Sequence, residues 1–191
     1  NITLKWKKGC PNNFASDGSV VDTGCSSGLS GIGQTWSQPK TLKAQGYGSA
    51  PLLIMGGGYD VCEDADPNTC GANAKGARIH VLDADTGAVL NSLATDRSVI
   101  ADISIVTDAA TGWAVHGYAV DLGGNVYRIN IGTAAPASWT ITKIASLGCD
   151  TTANCTHNRK FMFAPDVLLV NGTYVLLLGS GDREKPRQYA N

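Results

Sequence analysis

The sequence predicts an all-β protein built from a repeated unit of strand and turn. About ten short apolar or alternating segments follow one another, and turn signals separate them every 8–12 residues or so. No stretch shows the sustained 3.6-residue period of an amphipathic helix. This spacing is typical of β-sandwiches, barrels and propellers. Hydrophobic residues make up 43% of the 191 positions, which is enough for the core of one domain.

A second observation narrows the class to a propeller. An apolar run, a glycine turn and a charged loop occur in that order twice, with turns Gly56-Gly57-Gly58 and Gly179-Ser180-Gly181. Such repeats favour four-stranded blades, of which a propeller has about four to eight. About ten strands would form only two and a half blades. We therefore expect residues 1–191 to be part of a single propeller domain, incomplete at one or both ends.

The strands are assigned in chain order from their apolar pattern and their bounding turns. Residues 1–35 are expected to be mostly loop, and residues 35–39 could add a short strand. Asn171-Gly172 is a strong hairpin signal, and Asp83-Ala-Asp-Thr-Gly87 is an Asx-type turn. The predicted strands cover residues 52–55, 78–83, 88–93, 98–106, 113–120, 126–131, 138–145, 161–163, 167–170 and 174–178.

The charge argues against a nucleic-acid partner, and the hydropathy argues against a membrane span. Fifteen basic and sixteen acidic residues give a net charge of −1, whereas a dedicated nucleic-acid binder usually shows a basic excess. No window approaches the roughly 20 apolar residues of a membrane span. We therefore expect no nucleic-acid partner and no membrane span in this segment.

The six cysteines fall into three local couples, each within a polar loop. Fifteen connectivities are possible for six cysteines. Neighbour pairing is favoured, and it indicates an oxidising compartment. A zinc site at Cys149, Cys155 and His157 is the alternative, although its spacing is unusual. The predicted pairs are Cys10–Cys25, Cys62–Cys70 and Cys149–Cys155.

The acidic loop between Cys62 and Cys70 is a candidate calcium site. Its sequence Asp64-Ala-Asp-Pro-Asn68 matches the first three ligand positions of a calcium loop. Thr69 and Lys75 stand where such a loop has its glycine and its bidentate glutamate. A solvated loop closed by a disulfide is the open alternative. The predicted ligands are Asp60, Asp64, Asp66 and Asn68, with Glu63 adding nearby charge.

The remaining candidates favour structural roles. Asp182-Arg-Glu184 places two carboxylates close together, as glycoside chemistry requires, but an exposed charged turn explains it as well. The three histidines are isolated, and the hydrolase, zinc-protease and phosphate-loop motifs are missing from the sequence. We predict no catalytic residue. The tryptophans at positions 6, 36, 113 and 139 are expected to pack rather than to form a sugar-binding platform.

Six phrases of the sequence, taken together, carry a resemblance to a known family. They are Trp6-Lys-Lys-Gly-Cys10, Gly31-Ile-Gly-Gln-Thr-Trp-Ser-Gln-Pro39, Leu53-Ile-Met-Gly-Gly-Gly-Tyr-Asp60, Ile79-His-Val-Leu-Asp-Ala-Asp-Thr-Gly87, Tyr118-Ala-Val-Asp-Leu-Gly-Gly-Asn-Val-Tyr-Arg-Ile-Asn130 and Leu178-Gly-Ser-Gly-Asp-Arg-Glu-Lys-Pro186. Their order and content resemble the C-terminal β-propeller of the PilC/PilY proteins of type IV pili, and the resemblance covers nearly the whole chain.

The resemblance implies a seven-bladed propeller on a non-enzymatic surface protein. It implies export through the periplasm to the cell surface, at the pilus tip or outer membrane, with minor pilins of the tip complex as partners. Adhesion to a host or abiotic receptor, pilus extension against retraction, and twitching motility are the implied roles. Family members can bind calcium through an Asp/Asn loop before the strand that resembles residues 118–121. That position here holds one carboxylate, Asp108, so the family's loop looks degenerate there.

Two alternatives remain open from the residues. A quinoprotein dehydrogenase is one, because Asp83 to Gly87 resembles part of its repeat, although the tryptophan of that repeat is missing. A non-adhesive periplasmic propeller scaffold is the other.

Overall fold

A computed structural model describes residues 3–14, 19–65, 68–71, 74–148 and 159–181. These residues form strands joined by turns, and their helical content is limited to the short 3-10 helices Gln45–Tyr47, Val61–Asp64 and Pro136–Ser138. No helix in the described ranges is long and apolar enough to cross a membrane. The strands are β1 (Asn12–Phe14), β2 (Val20–Thr23), β3 (Lys40–Leu42), β4 (Leu52–Gly56), β5 (Arg78–Asp83), β6 (Val89–Ala94), β7 (Ser104–Thr107), β8 (Ala114–Val120), β9 (Asn125–Asn130), β10 (Thr140–Ser146), β11 (Asp166–Val170) and β12 (Thr173–Leu177).

The strands form two four-stranded antiparallel sheets and two hairpins. The sheets have the sequential orders β3-β4-β5-β6 and β7-β8-β9-β10, and the hairpins are β1-β2 and β11-β12. The prediction of an all-β fold is confirmed. Sequential four-stranded sheets are also the building unit of propellers, although two such sheets do not close a ring.

The two sheets share one hydrophobic core. Leu52 and Ile54 of β4 are completely buried, as are Ile79 and Val81 of the neighbouring strand β5. This face packs in the same cluster as residues of the second sheet, such as Ile129. Each large aliphatic side chain buried in this way contributes about 1.5–3 kcal/mol relative to exposure. Ile79 and Val81 thus form a buried face of β5, and His80 and Leu82 on its other face are buried as well.

The N-terminal segment covers the opposite face of the first sheet. Cys10, Leu29 and Ile32 form a cluster against Met55 and Val89. The cluster encloses apolar surface that a sheet alone would leave in water. The expectation that residues 1–35 are mostly loop is thus correct for most of the segment but misses the β1-β2 hairpin.

Three equivalent hydrogen bonds mark three structural repeats. Each repeat begins with a pair of strands, β3-β4, β7-β8 or β11-β12. A backbone N–H two to four residues after the second strand of the pair donates to the carbonyl six residues before the first strand. The β11-β12 hairpin therefore begins a third unit like the two complete sheets. The donor and acceptor pairs are Tyr59 and Gln34 (2.8 Å), Leu122 and Ser98 (3.0 Å), and Gly181 and Lys160 (3.0 Å).

Two predicted strands differ from the structure. The predicted strand at 161–163 is wrong, because these residues lie in the loop before β11. Residues 98–106 are rich in β-branched side chains, yet the strand β7 begins at Ser104. Val99 and Ile103 are buried between the sheets. The Val99 N–H donates to the Gly76 carbonyl and its own carbonyl accepts from Gly58, so its hydrogen bonds go to a loop rather than to a ladder. A segment that is buried between sheets needs apolar side chains just as a buried strand does, so its composition alone does not distinguish the two.

Candidate functional site

Long loops gather at one end of the two sheets. Their described residues are 57–65, 68–71, 74–77, 95–103, 121–124 and 159–165, and we call this surface the long-loop face. Hydrogen bonds join these loops across sheets, as between Leu122 and Ser98 (3.0 Å) and between Phe161 and Asp121 (3.4 Å). The sequence-predicted calcium loop lies here.

Disulfides brace two of the described loops. The structure joins Cys10 to Cys25 and Cys62 to Cys70, which confirms two of the predicted neighbour pairs. The third predicted pair, Cys149 with Cys155, lies outside the described residues. Each observed bridge closes a short loop, and such closure stabilises a fold by roughly 2–3 kcal/mol in the chain-entropy model.

Asp60 organises the start of the predicted calcium loop. Its Oδ1 accepts from the backbone N–H of Cys62 at 3.0 Å, and its Oδ2 accepts from that of Lys75 at 2.6 Å. The carboxylate caps the 3-10 helix Val61–Asp64 and is almost completely buried. Asp60 thus ties the two ends of the loop together.

The other described members of the predicted calcium set also hold protein hydrogen bonds. The Tyr59 hydroxyl donates to Asp64, and Asn68 Oδ1 accepts from the Cys70 N–H at 3.1 Å. Asp66 lies outside the described residues. The calcium set of Asp60, Asp64, Asp66 and Asn68 therefore stays a prediction.

A separate group of potential ligand atoms lies at the first disulfide. Within the described residues, the group of three metal-ligand side chains close enough to share an ion is Cys10, Asp22 and Cys25, with atoms within 4.8 Å of one another. Their two sulfurs are joined to each other. Because a cysteine binds a metal as its thiolate, this oxidised pair does not fit a metal centre.

Glu63 forms a buried ion pair that sequence reasoning missed. Arg97 Nε donates to Glu63 Oε1 at 3.0 Å, and a second guanidinium nitrogen donates to Oε2. The Glu63 side chain is 1% exposed and the Arg97 side chain is 5% exposed. Lys160 Nζ adds a bond of 2.7 Å to the Glu63 carbonyl. These contacts bind three loops of the long-loop face to one another.

Asp121 is the second hub of this face. Its Oδ1 accepts from the N–H groups of Gly123 (2.9 Å) and Asn125 (3.0 Å), and its Oδ2 accepts from the Tyr127 hydroxyl (2.8 Å). Burial raises the pKa of Asp121, and these donors oppose that shift. Burial and the neighbouring Asp121 charge also raise the pKa of Tyr127. The network fixes the β8-β9 turn that the sequence predicts.

The Asx-type turn occurs twice at the opposite end. Asp83 Oδ1 accepts from the Thr86 N–H at 2.7 Å, and Asp108 Oδ1 accepts from the Thr111 N–H at 2.8 Å. Both turns end in a glycine with positive φ, at 68° and 72°. Hydrogen bonds from Tyr47 and Thr86 lower the pKa of Asp83. The interpretation of residues 83–87 as a hairpin turn is confirmed. Residues 108–112 form a second turn with the same hydrogen bonds.

The two described histidines lie in different sheets, His80 on β5 and His116 on β8. His80 is completely buried, and burial together with the Arg78 charge lowers its pKa to about 4. Burial, with a smaller effect of Arg128, also lowers the pKa of His116. His157 and the acidic turn at 182–184 lie outside the described residues.

Together these observations define an all-β protein of repeated four-stranded units, braced by disulfides and by a buried polar network. Disulfides are consistent with a location outside the cytoplasm. No protein-family model and no curated protein sequence matches the chain.

Among solved structures, the chain is similar to the C-terminal domain of PilY1 from Pseudomonas aeruginosa, with a TM-score of 0.57 and 15% sequence identity. The match covers 78% of this chain and 32% of that one, so the chain spans about a third of the solved domain. At this identity the likeness shows a shared fold. The resemblance drawn from the six sequence phrases is confirmed at the level of the fold.

Proposed function

We propose that this chain is part of the β-propeller of a type IV pilus-associated surface protein, with a role in binding and assembly rather than catalysis. The observation that carries the proposal is the shared fold with the PilY1 C-terminal domain. The repeated sheets and the disulfides support it, because rigid loops on an oxidised β scaffold suit a surface protein. Minor pilins of the tip complex are the proposed partners, and the pilus tip or outer membrane is the proposed location.

The β11-β12 hairpin supports a propeller that continues. Leu176 of the hairpin packs toward Val120 and Val126 of the second sheet. The other face presents Leu168 and its cross-strand partner Val175, which are 49% and 37% exposed. Val170 and Leu177 extend this apolar face. Within the described residues this unit has two strands, and a two-stranded hairpin is marginal alone. We therefore propose that further strands pair with its edge and that a following blade covers its exposed face.

The pilus role is tested in a strain that lacks the protein. We expect fewer surface pili, smaller twitching zones and weaker surface attachment. Pili counted by electron microscopy should return if pilus retraction is also blocked, because the proposed protein favours extension over retraction. Complementation with the wild-type gene is the control. Unchanged pili, twitching and attachment would refute the proposal and leave a periplasmic scaffold.

Calcium modulation is a separate part of the proposal. Asp64, Asp66 and Asn68 supply hard oxygen ligands in a loop that a disulfide preorganises. Calorimetric titration with Ca²⁺ should show binding that Asp64→Ala with Asp66→Ala abolishes. The exposed Asp85→Ala is the matched control and should bind as wild type. Binding that survives in the double variant would place the ion elsewhere, and no binding would refute the calcium role.

The enzymatic alternative has its own readout. A quinoprotein dehydrogenase would purify with quinone absorbance or acquire it when quinone is added. We expect neither, since both Asp-x-x-Thr-Gly copies are accounted for by turn hydrogen bonds.

A further inference from the structure

Trp36 is held rigid with one face of its indole open. Its ring stacks on Tyr59 with centroids 4.8 Å apart and planes inclined by 11°. Tyr59 is itself buried, and its backbone exchanges hydrogen bonds of 2.8 and 2.9 Å with Gln34. Trp36 nevertheless stays 51% exposed. The expectation that it serves packing therefore accounts for only one of its faces.

Trp36 forms one wall of a groove of about 620 Å³. Residues 100–102 and 162–164 form the rest of the lining. All three contributions come from the same place in the repeat, two to four residues before strands β3, β7 and β11. The groove thus lies where three successive units meet. Its volume falls in the range of about 300–1,000 Å³ that is usual for small-ligand sites.

A positioned carboxylate stands at the edge of the groove. Asp102 Oδ1 accepts from the Gln38 N–H at 2.6 Å, and its Oδ2 lies 3.0 Å from Lys40 Nζ. Each oxygen retains acceptor capacity, because a carboxylate offers about four lone-pair sites. Lys40 offsets the charge of Asp102. Phe163, 57% exposed, adds a second aromatic surface to the lining.

We propose that this groove binds a neutral carbohydrate, one ring of which stacks on the open face of Trp36. A pyranose ring has an apolar C–H face bordered by hydroxyls, and the groove offers a flat indole beside hydroxyl acceptors. A preorganised aromatic surface loses little conformational entropy on binding. A cationic ligand over the indole is less favoured, because Lys40 already offsets the nearby carboxylate. The inference goes beyond the proposed pilus role and can be tested without pili.

Saturation-transfer NMR and calorimetry on the purified, oxidised protein provide the test. The probes are cellotetraose, maltotetraose and chitotetraose, each at millimolar concentration. We expect saturation to pass from the protein to the sugar-ring protons of at least one probe. The affinity for that probe should fall at least tenfold in Trp36→Ala. Trp36→Phe should retain part of the affinity. Trp113→Phe removes a half-buried tryptophan elsewhere and is the matched control, which should bind as wild type.

Three results would overturn the inference. They are no binding of any probe, equal binding by wild type and Trp36→Ala, and binding of tetramethylammonium in place of the sugars. If Trp36→Ala shows an altered circular dichroism spectrum, Trp36→Phe and Asp102→Asn take its place. Unchanged pili and twitching in a strain that lacks the protein, with sugar binding intact, would count against the pilus proposal alone.

Discussion

The buried pair between Glu63 and Arg97 allows a direct test of how the long-loop face is held together. We predict that Arg97→Met strongly destabilises the protein, because it leaves the Glu63 carboxylate buried at 1% exposure without its partner. Breaking a buried pair in this way costs about 3–5 kcal/mol. For a chain of this length, that loss corresponds to a decrease in melting temperature of roughly 6–20 °C.

The matched control is the exposed pair between Lys5 and Asp85, whose side chains are 64% and 54% exposed. Lys5→Ala should cost at most about 1 kcal/mol, since exposed pairs contribute little. Replacing both buried partners, Glu63→Leu with Arg97→Met, should recover most of the lost stability. The double variant leaves neither charge of this pair buried without its partner.

Urea unfolding followed by circular dichroism, under conditions that keep the disulfides oxidised, measures all four proteins. A loss for Arg97→Met no larger than that for Lys5→Ala would refute the reasoning. So would a double variant that is as unstable as the single one, because the cost would then not come from an unpaired charge.

Two further predictions concern pH and backbone shape. The pKa of His80 is about 4 in the folded protein and 6.5 when unfolded, so the unfolded state binds more protons between these values. Stability should fall by roughly 3 kcal/mol as the pH falls through this window, and His80→Gln should remove that part of the slope in urea titrations at pH 7 and pH 4.5. Gly76 has a φ of +77°, and a Cβ there would lie 1.8 Å from the Gly58 carbonyl oxygen, whereas Gly112 has a φ of +72° and open space. Gly76→Ala should therefore cost at least about 2 kcal/mol and Gly112→Ala about 1–2 kcal/mol. Equal melting temperatures for the two alanine variants would contradict the steric argument.

The hairpins could be predicted from the sequence because their signals are local. The predicted strand at 78–83 matches β5 (Arg78–Asp83), since an alternating pattern lies between a glycine and an Asx turn. Asn171-Gly172 likewise joins β11 to β12, and Asn171 adopts the positive φ of 49° that this turn requires.

The polar network could not be predicted, because it depends on contacts between distant residues. Glu63 lies in a loop that reads as solvated and acidic, and Arg97 lies 34 residues later after two strands. The antiparallel order of β4, β5 and β6 brings both loops to the same end of the first sheet. The same reasoning explains residues 98–103, where burial between sheets gives a composition typical of a strand. The open face of Trp36 is also set by tertiary structure, since sequence alone does not show which side of a ring is covered.

An experimental structure of the whole protein would test the central claim most directly, because it would show what lies against the β11-β12 hairpin. We predict that two further strands complete this hairpin into a third four-stranded sheet. We also predict that a fourth sheet covers Leu168, Val170, Val175 and Leu177, within a closed ring. A hairpin that ends the sheet array, or one whose apolar face is covered by a helix, would contradict the propeller and the function proposed from it.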